Sequence, residues 1–129
     1  MRSTPNRYTN LESRATTGVD RPSGVFVSGT RHNEILLTPA AFTGTVKCQG
    51  AFGETPPDFS AASSASNPWF YVNIKDTSDD STDTEVAFTT ASDVRSFAIN
   101  KDLLDWVNLE VTARSAGSVS GEIISTNDV

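Results

Sequence analysis

The sequence predicts an all-β protein: a two-sheet antiparallel β-sandwich, immunoglobulin-like or jelly-roll, of about eight strands with an extended N-terminal arm. Three observations carry this. Apolar and polar residues alternate with a period of two through most segments beyond residue 24, as in strands with one buried face. Turn-forming residues punctuate those segments, and no stretch sustains a helical period. Apolar residues make up 36% of the chain, which suits strands that turn half their residues to solvent.

The chain has 129 residues, enough for one domain with a real core and no staples. Its lone cysteine, Cys48, excludes an internal disulfide and four-cysteine zinc frameworks, and fits assembly in a reducing compartment. No apolar run approaches the roughly twenty residues that span a bilayer, so no membrane partner is expected. The N-terminus lacks the apolar core of a signal peptide, so the chain is expected to be made and used unprocessed. Net charge is −6, unevenly placed: residues 1–31 carry five arginines against two acids, and the rest is strongly acidic. Such an arm on such a body suits docking of one copy onto the next, or onto an acidic partner.

Residues 1–23 show neither period, and Tyr8, Leu11 and Val19 stand apart among polar residues. Alone the segment buries too little to offset its ordering entropy, which predicts an arm ordered only against a neighbour. The sandwich domain is then 24–129. Its first strands fall at 24–29, ended by Gly29, at 33–38, closed by Pro39, and at 43–52. In the last of these Val46, Cys48, Gly50 and Phe52 share the inward phase, making Cys48 an apolar filler. Residues 53–68 form a long connection, opened by Pro56 and Pro57, that reaches another subunit or crosses between sheets. A strand at 69–75 carries aromatic residues on both faces, so neither face is fully wet. Strands at 84–90 and 94–100 follow, and 101–105 makes a corner. The firmest signal comes last. Val107, Leu109, Val111 and Ala113 alternate with polar residues, Gly117 permits positive φ, and Val119 and Ile123 resume the alternation. This predicts a hairpin of 106–114 against 118–125.

Catalytic signatures are sparse. There is no phosphate-cradling glycine loop and no Gly-x-Ser-x-Gly elbow. The single histidine, His32, sits between Arg31 and Asn33, where an exposed turn residue is expected, and one histidine excludes two-histidine metal sites. Five carboxylates between Asp76 and Glu85 invite a calcium reading, but their spacing lacks the central glycine and closing glutamate of a calcium loop. A solvated acidic turn accounts for them, so neither metal nor cofactor is expected. An acidic body repels phosphate, which disfavours nucleic acid. The sequence is therefore read as non-enzymatic.

The run from Gly44 to Phe52, the Pro56-Pro-Asp-Phe-Ser loop, the strand from Asn67 to Lys75 and the segment from Leu104 to Val119 together resemble small β-sandwich virion proteins of tailed bacteriophages. In those, a Gly-Thr-Val-x-Val-x-Gly strand precedes a Trp- or Tyr-bearing strand, and a Trp-Val-x-Val-x-Val-Thr hairpin closes the domain. The resemblance covers about residues 43–125. It implies a capsid decoration, or cement, protein on the virion surface, assembled in the host cytoplasm. The implied partners are the major capsid protein or other virion proteins, and further copies of the chain, a trimer being favoured. Such families carry no active site to transfer. The partner-contacting candidates are Arg2, Arg7, Tyr8, Leu11 and Arg14 on the arm and Trp69 and Tyr71 on the body. The alternative is a tail- or fibre-associated receptor or carbohydrate-binding module using Trp69, Tyr71 and the acidic turn.

Overall fold

A computed structural model of the chain describes residues 6–28, 32–101 and 103–126. Among the described residues nine strands form one open antiparallel sheet: β1 (Asn6–Arg14), β2 (Val25–Phe26), β3 (His32–Ala51), β4 (Phe70–Val72), β5 (Ile74–Asp76), β6 (Thr82–Asp83), β7 (Val86–Ala91), β8 (Arg95–Ile99) and β9 (Trp106–Thr126). The all-β antiparallel architecture is as predicted. What joins its layers differs.

Two strands organise everything. β3 and β9, of 20 and 21 residues, pair along their whole lengths, from His32 opposite Thr126 to Ala51 opposite Trp106. Both are several times longer than an ordinary strand of about 5–6 residues. Register shifts fall between Ala40 and Thr43, Thr43 and Gly44, and Thr45 and Val46, and bulges of that kind bend a ribbon. At the bend Ala41 has φ 47° and Gly117 has φ 69°. The two halves of the ribbon then face each other. A Cβ placed on Gly121 would lie 2.7 Å from Leu109 Cδ1, although those residues are twelve apart on one strand.

The strand path runs β1-β9-β3-β8-β5-β6, with β2 on β9 and with β4 and β7 on β3. β1 and β8 flank the half of the ribbon that holds Thr126, while β2, β4 and β7 flank the half that holds Trp106. The core lies between the halves: Ile35, Leu37, Phe42, Val46, Cys48, Leu109, Val111, Val119 and Ile123 are essentially inaccessible.

Three expectations are corrected. The closing hairpin is absent, because 106–114 and 118–125 are successive parts of β9, each paired with β3 and not with the other. Alternation and a glycine describe a bent strand as well as a reversed one. The segment 6–14, expected in an arm awaiting a neighbour, is strand β1, paired with β9 from Asn6–Ser125 to Arg14–Val119. Leu11 is fully buried in the core, and the ordering entropy is offset within the same chain. Phe52, expected inward by phase, is 50% exposed because β3 ends one residue earlier and the phase ends with it.

Smaller differences follow from the same cause. The 69–75 strand is split at Asn73, with β4 on β3 and β5 on β8, so it crosses from one half to the other. His32 is exposed, as expected, but opens β3 instead of lying in a turn. No helix among the described residues is long and apolar enough to cross a membrane.

Candidate protein-binding surfaces

Beneath the long loop lies a buried chain of amides. Asn10 Nδ2 donates to Asn108 Oδ1 (2.8 Å), Asn108 Nδ2 to Gln49 Oε1 (2.8 Å), and Gln49 Nε2 to the Phe59 carbonyl (3.0 Å). Asn10 Oδ1 also accepts the Leu109 N–H at 2.8 Å. That N–H lies between the β2 pairing at Val107 and the bridge from Gly18 to Val111, where β9 has a gap along its edge. All three amide side chains are fully buried, and a closed polar network of this kind fixes geometry. It joins β1, β9, β3 and the loop.

The loop 53–68 is thereby drawn onto its own body. Phe59 is 1% exposed, and its N–H donates to the Pro22 carbonyl. Asn67 accepts the Asp58 N–H and donates to the Asp58 and Ala62 carbonyls, closing the loop on itself. The Asp58 carboxyl is held below its ordinary value by the Ser60 hydroxyl and amide.

The two body candidates belong to this arrangement. Trp69 Nε1 donates to the Ala61 carbonyl at 2.9 Å, and its ring stands edge-on to Tyr71 at 5.1 Å and tilted to Phe59 at 6.2 Å. Tyr71 Oη donates to Glu110 at 2.7 Å, and Lys47 Nζ sits 4.5 Å above its ring. Burial first, then the Glu110 carboxylate, pushes the Tyr71 phenol up to about 12. Trp69 thus holds the loop down and Tyr71 braces the Trp69 ring, though Tyr71 remains 39% exposed.

Of the arm candidates, Leu11 lies in the core, away from any surface. Arg14 is locked locally by Asp20 at 2.6 Å and by the Thr16, Thr17 and Val19 carbonyls. Arg7 and Tyr8 are exposed and line an open groove of about 540 Å³ with Thr9, Arg21, Gly24, Val25 and Phe26. Arg2 lies outside the described residues. The structure therefore brings Arg7 and Tyr8 together, and Trp69 and Tyr71 together, as two separate groups.

The acidic stretch is a turn between β5 and β6. Asp76 is buried and accepts from Arg95 at 2.6 Å and from the Ser78 amide and hydroxyl, which lower its carboxyl to about 2. Among the described residues no group of three or more potential ligands is placed to hold a metal ion. Cys48 is fully buried, and desolvation pushes its thiol up to about 12, far from a nucleophile's range.

Sequence reasoning missed the end of the molecule where β3 stops and β9 begins. Phe26 and Trp106 lie 4.9 Å apart, Trp106 Nε1 donates to the Gly53 carbonyl at 3.0 Å, and Phe52 lies 5.4 Å from Phe70. Lys101 Nζ sits 5.7 Å from the Phe52 ring and 5.9 Å from the Phe70 ring. In the segment leading into β9, Leu103 is 88% exposed, while Leu104 packs inward over Gly50. Asp105 fastens the end by accepting the Gly53 N–H at 2.6 Å, and that bond, with the Ser28 hydroxyl, lowers its carboxyl. Phe26 (53% exposed), backed by Trp106, Phe52, backed by Phe70, and Leu103 are thus large apolar side chains left exposed near the strand ends. Clustering of rings at strand ends is invisible to periodicity, which reads strand interiors.

No protein-family model matches the chain, and no curated protein does. Two solved structures share its fold. The SPBc2 prophage-derived protein YomS superposes with a TM-score of 0.66 at 13% identity, over 96% of this chain and 94% of its own. The PBSX exported protein XepA superposes with a TM-score of 0.69 at 14% identity, over 96% of this chain but 38% of its own. YomS is named as prophage-derived and XepA as exported. At such identities the likeness establishes the fold.

Proposed function

We propose that this chain is a non-enzymatic bacteriophage structural protein that works by protein–protein contact, as a capsid decoration protein on the major capsid protein. The observation that carries the reading is the set of large apolar side chains left exposed near the strand ends, Phe26 against Trp106, Phe52 against Phe70, and Leu103. Exposed rings on rigid backbone are characteristic of binding hot spots, because they bury area at small entropic cost. The prophage origin of the structural neighbour YomS supports the setting. The resemblance of residues 43–125 to phage virion sandwiches supports the head. On a symmetric lattice a small footprint of this kind is repeated, and repetition converts weak contacts into avidity.

The test is fractionation of particles from the phage or lysogen that encodes the chain. Separated heads, separated tails and cleared medium are probed for it, and purified chain is added back to stripped heads. Recovery with heads, lost on replacing Phe26, Phe52 and Leu103 by serine in a chain that still folds, is expected. Recovery with tails alone would replace the proposal with a receptor- or carbohydrate-binding role. Recovery in the medium alone would replace it with an exported role, the character named for XepA.

A further inference from the structure

The two ends of the strand order differ in charge and shape. At one end, the groove against β1 is lined by Arg7 and Arg21 together with the exposed rings of Tyr8 and Phe26. Arg7, 57% exposed, uses Nε on Glu122; Arg21, 50% exposed, uses one Nη on Glu12. A guanidinium has five N–H donors, so among the described residues each has four not engaged by its carboxylate partner. At the other end, the turn between β5 and β6 presents Asp79, Asp80, Asp83 and Glu85 on exposed positions. Of these only Asp80 makes an ion pair among the described residues, with Lys75 at 3.5 Å, while Arg95 acts on Asp79 from farther off.

We propose that the β1 groove of one copy receives the acidic β5–β6 turn of a second copy. The four intervening strands, β9, β3, β8 and β5, separate the two features along the sheet, so the turn's counterpart is another molecule's groove. The turn is a narrow, self-braced finger: Asp80 N–H donates to the Asp76 carbonyl, Asp76 N–H to the Ser81 carbonyl, and Arg95 ties Asp76 from behind. A preorganised finger enters an open groove with little further ordering cost. Because groove and finger are different surfaces, the contact is heterologous, and its repetition gives a closed ring or an open filament. Charge complementarity of this kind also fixes register and makes association depend on salt. The proposal goes beyond capsid decoration; Phe26 borders the groove and also belongs to the exposed apolar residues, so the test changes only Arg7, Arg21 and the acids of the turn.

The experiment is sedimentation velocity on the full chain across a concentration series, at low and high salt. Association at low salt that weakens at high salt is expected. Arg7→Glu with Arg21→Glu, and separately Asp79→Lys with Asp83→Lys, should each weaken it by roughly tenfold or more. Each variant retains its fold by circular dichroism, since exposed ion pairs contribute little to stability. Mixing the two variants should restore association, because each then offers the other a complementary surface. A chain that stays monomeric at low salt throughout overturns the proposal and leaves the groove to a foreign acidic partner. So does association that survives both reversals, or a mixture that fails to recover.

Discussion

At the scale of single residues, the buried amides decide more than their number suggests. Asn108 accepts from Asn10 and donates to Gln49, so truncating it strands a donor and an acceptor at once. An unpaired buried polar group costs about 1–3 kcal/mol, so Asn108→Ala should lose about 3 kcal/mol or more in urea denaturation. A loss below about 1 kcal/mol would mean the relay is dispensable. Asp76 makes a second, pH-dependent case. Its carboxyl is held near 2, against an ordinary 3.8, first by Arg95 and then by Ser78. A group made more acidic by folding stabilises the fold above its unfolded value, and that contribution is lost as pH falls through the folded one. Stability should therefore decline between about pH 4 and pH 2, and Asp76→Asn should flatten the decline. An unchanged slope in the variant would remove Asp76 as the cause. Neither role was legible beforehand. Asn108 sits at a polar position of an alternating strand, where solvent is the ordinary neighbour, and only β1 and the long loop covering that face make it internal.

At the scale of elements, the bend in β9 is the decisive feature, and it was half legible. The alternation before and after Gly117, and its positive φ, were both read from the sequence. Reversal was the wrong inference from them, because a period of two fixes which face a residue takes and not which strand it pairs with. Pairing was decided by β3, whose own alternation stops and restarts around Ala41 in step with Gly117. Backbone closeness at the bend gives a sharp test. A Cβ on Gly117 would lie 2.2 Å from the Ala41 carbonyl oxygen and 2.5 Å from that of Ala40, at φ 69°. Gly53 also has positive φ, 123°, but its nearest such contact is Thr55 O at 3.9 Å. Gly53→Ala then incurs backbone strain alone, about 1 kcal/mol, whereas Gly117→Ala adds a clash with backbone and should cost more than about 2 kcal/mol. Equal thermal midpoints for the two variants would contradict the bend. The N-terminal strand was missed for a related reason: β1 takes its burial from one long side chain, Leu11, and one amide, Asn10, too few for periodicity to register.

At the scale of the whole molecule, one sheet folded on itself is a different object from two independent sheets. In a sandwich of separate sheets each layer has central strands of its own, and one can loosen while the other persists. Here β3 and β9 supply the centre of both layers, and Leu109 on one half closes over Gly121 on the other, where Leu37 and Leu11 also converge. Separating the halves uncovers the same core from both sides, and melting either half removes the partner strand that continues into the other. Unfolding should therefore be a single cooperative event. Native-state hydrogen exchange is the measurement, because it reads opening free energies strand by strand. Amides of Ile35 and Leu37 in one half, and of Val46 and Cys48 in the other, should open with the same free energy to within about 0.5 kcal/mol and the same denaturant dependence. The β5–β6 turn, exposed and at the end of the strand path, should open earlier. Two distinct opening energies for the halves of β3 would show that the bend separates two folding units, and the shared-ribbon account would then fail.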